Sequence, residues 1–384
     1  VKIFRVIPTM GKGGAEDIMI NLCNHEAVSH DVTLMILRRV PEDAYNLGRI
    51  SSSVKVISII PEVNCFFFGF TKAIQVFMYA FSPLIALYIY LRHKLYAVDI
   101  VHTNLTMASL FSIYWYVLAF LSLNRKTKFL ETYHTNWHLI GSFQKLIFRV
   151  SWKLKDHLIY EILEREIDNL VKIGIPKDKI SYIPFGVPDE NVKIDSVNRF
   201  LANNKRSINS ADLVIMTVSR LRIFEKRIHT MLEAVEIIKQ RLPLKVVFLL
   251  CGDGKDKEEI ESMVKKLSLE DEVVFCGFVD DPASITSVAD LYMCAMVGED
   301  TGISGLQAGM NNKAVVGVQT LPGFDCLNSA IKSFESSQEI SEFILNLIDR
   351  DLLDAYSSEC KIYVEDKFSV NSMCDAYDRL YASL

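Results

Sequence analysis

Nowhere in the 384 residues do two cysteines form a CxxC pair. The eight cysteines, at 23, 65, 251, 276, 294, 326, 360 and 374, are scattered singly, so neither a zinc site nor a disulfide framework is indicated. Unpaired thiols fit a reducing, cytosolic compartment. Positive charge is not in excess either. Forty-two Lys and Arg stand against 47 Asp and Glu, a net charge of −5, which argues against a dedicated nucleic-acid binder. There is no short-period repeat and no low-complexity tract. No leader is expected at the start, because "VKIFRVIP" mixes charges with apolar residues and reads as a strand, with no cleavage site after it.

Apolar residues, by contrast, make up 50% of the chain, so burial is easy, and the length predicts two domains. Two runs carry no charge and are long enough to span a bilayer, "AIQVFMYAFSPLIALYIYL" (73–91) and "LTMASLFSIYWYVLAFLSL" (105–123). The second lies between "VDIVHT" and "TKFLETYH", both strand-like, which makes it a crossover helix. Pro83 interrupts the first. Both are expected to be buried core helices, with a shallow membrane contact as the alternative.

Strand and helix patterns alternate along the chain. "KIFRVIP", "DVTLMIL", "KVISII", "DIVHT", "TKFLETYH" and "ISYIPFG" read as strands, with helical sequence between several of them. Residues 189–212 are rich in Asn and Ser and read as an interdomain connection. The rhythm then restarts with "LVIMTVSRL", "LKVVFLLCG", "EVVFCG", "LYMCAM" and "AVVGVQ". The fold class expected is α/β, two Rossmann-like parallel-sheet domains. Domain one is expected at 1–190 and domain two at 191–366. Ligands of such sheets bind beyond the carboxyl ends of the strands.

Four loops at such ends carry candidate chemistry. "MGKGGAED" (10–17) follows the first strand, and its glycines let backbone approach an anion at a helix start. As a dinucleotide fingerprint it fits poorly, since Glu16 occupies the third glycine position and Arg38 and Arg39, not an acid, end the second strand. The two arginines are what an NADP enzyme would offer, but that reading leaves the second domain's motifs unexplained. "VSRLRIFEKR" (218–227) puts Arg220 and Lys226 near a strand end, a guanidinium fork and a compact ammonium suited to a diphosphate. "LLCGDGKDKEEI" (249–260) turns tightly at Gly252 and Gly254. "GEDTGISGLQAGM" (298–310) sets Glu299 after a strand and starts a helix near Ser304, where free amides meet an anion. "SGLQ" also reads as a Ser304–Gln307 capping box.

As an ordered set these loops resemble family-4 glycosyltransferases. Gly13-Gly14-Ala15-Glu16 is similar to the family's GGAE loop. "IPFGV" (183–187), "SRL" with Arg220 and Lys226, "CGDG" (251–254), "FCGFVDD" (275–281) and "GEDTGISGLQAG" follow in the family's order over nearly the whole chain. The resemblance implies a GT-B fold, two domains about a cleft, with "KFSVNSMCDAYDRLYASL" (367–384) as a last helix crossing back to domain one. It implies transfer of a sugar from a nucleotide-diphosphate sugar to a glycan or polyprenyl-linked acceptor, with retention, without metal and without a further cofactor. By position it implies that Arg220 and Lys226 grip the diphosphate and that Gly13 and Gly14 touch donor and acceptor. Likewise Gly252 belongs to the donor site, Gly302, Ile303 and Ser304 give amides to phosphates, and His134 and Glu299 face the sugar. Gln307 stands where the family places a ribose-binding glutamate, and an amide there is expected to weaken or alter nucleotide binding. The one Asp-x-Asp, 349–351, lies in helical sequence and is expected at the surface.

In domain one, residues 125–155 mix Lys and Arg with apolar neighbours, as in "QKLIFRVSWKLK", a face suited to anionic headgroups at the inner side of a membrane. Two alternatives stand beside the transferase: a catalytically impaired partner protein, motivated by Gln307, and a nucleotide-sugar epimerase.

Overall fold

A computed structural model describes residues 1–11, 14–39, 46–60, 81–122, 126–133, 145, 150–161, 166–172, 174–189, 192–241, 243–296, 302–320 and 330–384, without the side chains of 14, 106–107, 166 and 205–207. The chain divides into two compact units, Val1–Phe185 with Asn371–Leu384, and Gly186–Val370.

The first unit contains β1 (Lys2–Ile7), α1 (Gly14–Glu26), β2 (Asp31–Arg38), β3 (Lys55–Ile60), α2 (Ser82–Arg92), β4 (Ile100–Asn104), α3 (Leu105–Leu121), β5 (Lys128–Tyr133), β6 (His157–Tyr160), α4 (Glu166–Lys172) and β7 (Ile180–Tyr182). The strands form a parallel sheet of order β3-β2-β1-β4-β5-β6-β7. Successive side chains of a strand point to opposite faces, and β1 shows it. Phe4 and Val6 pack with Trp115, Phe111, Ala86 and Ile89 under α2 and α3. Between them, Arg5 points to the other face and is buried against Glu26 at the end of α1.

The second unit contains α5 (Ile194–Ile208), β8 (Leu213–Val218), α6 (Ile228–Arg241), β9 (Val246–Cys251), α7 (Lys257–Lys266), β10 (Val273–Gly277), β11 (Leu291–Met296), α8 (Gly302–Met310), β12 (Ala314–Gln319), β13 (Lys332–Phe334), α9 (Ser337–Asn346) and α10 (Arg350–Phe368). Its parallel sheet runs β10-β9-β8-β11-β12-β13. β9 and β12 are buried at every position, as parallel strands covered on both faces must be. Asp349 caps α10 by accepting from the Asp351 amide at 2.9 Å, so the Asp-x-Asp is an exposed helix start.

The last helix, α11 (Val370–Ser383), enters the first unit from residue 371. It docks there through a polar network. Tyr381 accepts from Arg5 at 2.7 Å and meets His102 Nδ1 at 3.0 Å. His102 Nε2 meets Thr132 at 2.6 Å, Thr132 meets Tyr377 at 3.1 Å, and Tyr377 donates to Glu161 at 3.1 Å. The Arg5 guanidinium also lies 5.4 Å from the centre of the Tyr377 ring. A buried cation is tolerated only when paired and hydrogen-bonded, and this one is both.

Three sequence expectations change here. The Asn- and Ser-rich connection at 189–212 holds the 15-residue helix α5. Its inward positions Ser196, Val197, Phe200, Leu201 and Asn204 fall on one helical face, a stripe that the polar composition hides. The basic face read into 125–155 loses Lys155, which is buried. Its ammonium binds Ser112 and stands 3.5 Å from Glu131, whose carboxylate also takes Ser109 and Ser151. Burial lowers the Lys155 pKa, and Glu131 opposes that. Residues 125, 134–144 and 146–149 of that stretch lie outside the described residues. The third change concerns the two apolar runs. α3 is a crossover helix as expected. Of 73–91, residues 73–80 lie outside the described residues, and α2, far from being buried all round, leaves a whole side in solvent.

Candidate donor site

The second unit's strand order reverses between β8 and β11. The chain lays β9 and β10 to one side of β8, then returns to place β11, β12 and β13 on the other. At such a switch point adjacent loops leave in opposite directions and open a crevice at the strand carboxyl ends. β8 and β11 are in register only at Leu291↔Ile215 and Tyr292↔Met216. Past that pair, side chains take over the backbone's hydrogen bonds. The Tyr292 hydroxyl accepts from the Val218 amide at 2.8 Å, and Ser304 Oγ donates to the Val218 carbonyl at 3.0 Å. Burial raises the Tyr292 pKa, so it stays a neutral donor and acceptor. Neither Tyr292 nor the Ser304–Val218 bond was read from the sequence. Nothing in "LYMCAM" marks one tyrosine as the tie across a splayed strand pair.

Ser304 therefore sits inside α8 rather than at its cap, because the helix begins at Gly302, whose φ is +66°. This corrects the capping-box reading of "SGLQ": the Ser304 hydroxyl holds the end of β8 and is not turned to the Gln307 amide. A glycine adopts that left-handed φ without steric cost, which lets the chain turn from β11 into the helix. The α8 start, with Gly302, Ile303 and Ser304, is thereby fixed against Val218, two residues before Arg220. Gln307 follows one turn on and is half-buried.

The loop after β8 is braced from below by the loop after β9. The Ser219 amide donates to Cys251 O at 3.0 Å, Leu221 N to Asp253 O at 3.0 Å, and Ile223 N to the Asp256 carboxylate at 3.0 Å. Gly252, at φ +131°, lies with its Cα against the Ser219 carbonyl, where a Cβ has no room. Gly254 is pressed on the Leu221 backbone in the same way. The structure thus gives both glycines of "CGDG" a packing role: they let two loop backbones touch. On this base Arg220 is largely in solvent, its side chain 71% exposed, with an ion pair to Glu225 at 3.2 Å. Lys226 is half-buried in the turn that closes the loop, its amide donating to Arg222 O at 2.9 Å. An exposed pair such as Arg220–Glu225 is weak, so the guanidinium is available to an anion.

Arg220 and Lys226 lie on the loop after β8 and Gly252 on the loop after β9 that packs against it, while Gly302, Ile303, Ser304 and Gln307 belong to α8, which Ser304 bonds to the end of β8. Glu299, His134 and Gly13 lie outside the described residues. Gly14 opens α1, after β1, where the first sheet's own order reverses between β1 and β4. There Asn46, unremarked in the sequence, donates to the carbonyls of Met10 at 3.0 Å and Gly11 at 2.6 Å. Asn104 at the end of β4 reaches Val6 O at 3.4 Å. Among the described residues no group of three or more His, Cys, Asp or Glu stands together as a metal site.

Comparison with known proteins agrees with this frame. The family model described as Glycosyltransferase Family 4 matches residues 12–191, and the model of Glycosyl transferases group 1 follows at 198–347, so between them they take in most of the chain. The chain belongs to glycosyltransferase family 4. The O-antigen biosynthesis glycosyltransferase WclY of Escherichia coli is 20% identical over 100% of this chain and 99% of its own. Among solved structures, Anabaena Alr3699/HepE in complex with UDP and glucose superposes with a TM-score of 0.74 at 15% identity, covering 100% of both chains. A mutant of S. aureus TarM in complex with fondaparinux, alpha-GlcNAc-glycerol and UDP gives 0.67 at 12% identity, over 99% of this chain and 100% of that one. The glycosyltransferase accordingly has the GT-B fold, two Rossmann-like parallel-sheet domains.

Proposed function

We propose that the glycosyltransferase moves a sugar from a nucleotide-diphosphate donor to a glycan or lipid-linked acceptor in surface-polysaccharide or glycolipid assembly, with retention and without metal. The observation that carries the reading is the junction at Val218, where the basic loop of Arg220 and Lys226 and the first turn of α8 are tied together by Ser304. Glycosidic cleavage places growing negative charge on the departing diphosphate. Guanidinium, ammonium and helix-start amides answer that charge without reorganising, and one such preorganised donor is worth about 3–4 kcal/mol of barrier. In this reading the acceptor hydroxyl attacks on the face the diphosphate leaves, and a phosphate oxygen takes its proton. Glu299 and His134 are proposed to hold the sugar, Gly13 and Gly14 to line donor and acceptor, and Gln307 to meet the ribose. The binding of UDP in HepE and TarM supports a nucleotide sugar as donor.

Gln307, an amide where an acid is usual, keeps the impaired partner protein as a second reading. The test is product analysis of the purified protein with nucleotide sugars, with and without a crude lipid-linked acceptor. Transfer that requires acceptor and keeps the donor's anomeric configuration supports the proposal. Donor conversion without acceptor assigns an epimerase, and no turnover under any pairing favours the partner protein.

A further inference from the structure

Among the described residues, five that are not glycine have a positive φ, and one of them stands in the loop after β8. Lys94, Ser268 and Asn312 lie just past helix ends, where a left-handed turn is ordinary. Arg227, at φ +51°, instead precedes α6, and its carbonyl accepts from the Met231 amide at 3.2 Å, the first bond of that helix. A residue in this place is ordinarily extended. In the left-handed region its Cβ crowds the following carbonyl, and such strain persists only where the surroundings over-determine it.

The surroundings do so from both sides. α6 is anchored in the core by Ile228, Met231 and Leu232, each at most 1% exposed. On the loop side, the amides of Lys226, Arg227 and Ile228 donate back to the carbonyls of Arg222, Phe224 and Ile223 at 2.9, 3.4 and 3.0 Å. The Arg227 side chain adds a long-range tie: its Nη2 donates to the Glu335 carbonyl at 2.8 Å, 108 positions along the chain. That carbonyl precedes a fixed helix start, because Ser336 caps α9 in a capping box with Glu339. The Arg227 Nε, meanwhile, is buried without a hydrogen-bond partner. A strained backbone and an unpaired buried nitrogen both cost stability, so stability alone does not account for the residue. Lys226 comes just before it. With α6 immobile, a turn of Arg227 to negative φ would swing the loop side of the chain, and the Lys226 ammonium with it.

We propose that Arg227 is a positioning residue: its left-handed backbone and its bond to Glu335 O fix the direction in which Lys226 leaves the loop, and so the place of the ammonium against the donor diphosphate. This rests on the donor-site reading of Lys226. Arg227, its Nη2 turned to a carbonyl, acts through Lys226 and not on the phosphates. The test is a double-mutant cycle on diphosphate affinity. The full chain is titrated calorimetrically with uridine, guanosine, adenosine, thymidine and cytidine diphosphates, and the tightest binder is carried to Lys226→Ala, Arg227→Gly and the double variant. Glycine takes the left-handed φ without strain and removes only the tie. Arg227→Gly should weaken binding about tenfold, as the ammonium loses its contact. Its melting temperature should stay near that of wild type, because relieved strain offsets the lost bond. The double variant should bind as Lys226→Ala does, since two residues that act through one contact do not add. Arg227→Lys, which keeps a long donor for Glu335 O, should recover most of the affinity. Additive losses in the double variant overturn the proposal by giving Arg227 a contact of its own. Wild-type affinity in Arg227→Gly overturns it too, as does a loss of affinity matched by a fall in melting temperature, the mark of a merely structural residue. An unweakened Lys226→Ala, or a wild type that binds none of the diphosphates, refutes the donor-site reading itself and the proposal with it.

Discussion

Replacing Gly254 by Ala isolates the brace beneath the candidate donor site. A Cβ at this position would stand 2.7 Å from Leu221 N and 2.8 Å from Leu221 C, and against the Leu221 carbonyl oxygen, where ordinary contact begins near 3.4 Å. The neighbouring atoms are backbone, so they cannot swing aside as a side chain would. Relief requires the two loops to part by about 0.7 Å at least, the difference between those separations. Overpacking of this kind costs about 1–3 kcal/mol. At about 2–4 °C per kcal/mol for a domain of this size, the melting temperature should fall by about 2–12 °C. Leu221 follows Arg220, so the same displacement moves the guanidinium, and a misplacement near 1 Å lowers turnover by about a hundredfold. The assay pairs differential scanning calorimetry with steady-state transfer kinetics. Gly174→Ala serves as the comparison, because its φ of +100° makes alanine strained while nothing lies within 4 Å. It should lose stability and keep its kcat/KM. A Gly254→Ala enzyme with normal kcat/KM would refute the idea that the second glycine loop sets the position of the basic one.

Gln307→Glu should tighten nucleotide-sugar binding by about tenfold, since a charged acceptor bonds a ribose hydroxyl more strongly than an amide does. Isothermal titration reads this directly, and unchanged or weaker binding would separate Gln307 from the ribose. Tyr381→Phe removes the hydroxyl that meets both Arg5 and His102, leaves a buried guanidinium short of a partner, and should cost about 1–3 kcal/mol in urea unfolding. Equal stability would mean that α11 docks by its apolar contacts alone. Stability should also fall as pH rises above about 10. Burial raises the pKa of Tyr133, Tyr292, Tyr356, Tyr377 and Tyr381, so the folded chain retains protons that the unfolded chain gives up. A raised folded pKa contributes stability that is complete below the unfolded value and is lost above it, at about 1.4 kcal/mol per pH unit for each group. Lys155, with its lowered pKa, acts in the opposite sense, as a single group. Urea midpoints that do not fall between pH 8.5 and about 11 would contradict the burial of these phenols.

Much of the fold was legible because parallel sheets advertise themselves. Runs such as "VVFLLC" and "AVVGVQ" are apolar without alternation, which only a strand covered on both faces tolerates. The loops at strand ends were legible for the same reason, since glycine and basic residues stand out between such runs. What stayed hidden depended on contacts distant in sequence. Helix α5 is polar by composition and is revealed only by the spacing of Val197, Phe200 and Leu201. Lys155 looked like a surface charge because its partner Glu131 lies 24 positions earlier, on β5. Ser304 offered a local capping pattern, and the competing acceptor, Val218 O, lies 86 positions away. Gly252 and Gly254 read as a tight turn, Gly252 also as a donor-site residue, and only the structure reveals the backbone that they must admit. α2 shows the same limit from the other side, because an apolar run does not state which of its faces finds a partner.

The central claim is that positive groups on the loop after β8 hold the diphosphate of a nucleotide sugar. Its most direct test is the melting temperature of wild type and of Arg220→Ala with and without a saturating nucleoside diphosphate. At a ligand concentration about a hundred times Kd, binding should stabilise the wild type by about 2.7 kcal/mol. The exposed Arg220 predicts equal melting temperatures for the two unliganded proteins and a shift confined to the wild type. An equal shift in both proteins would contradict the account.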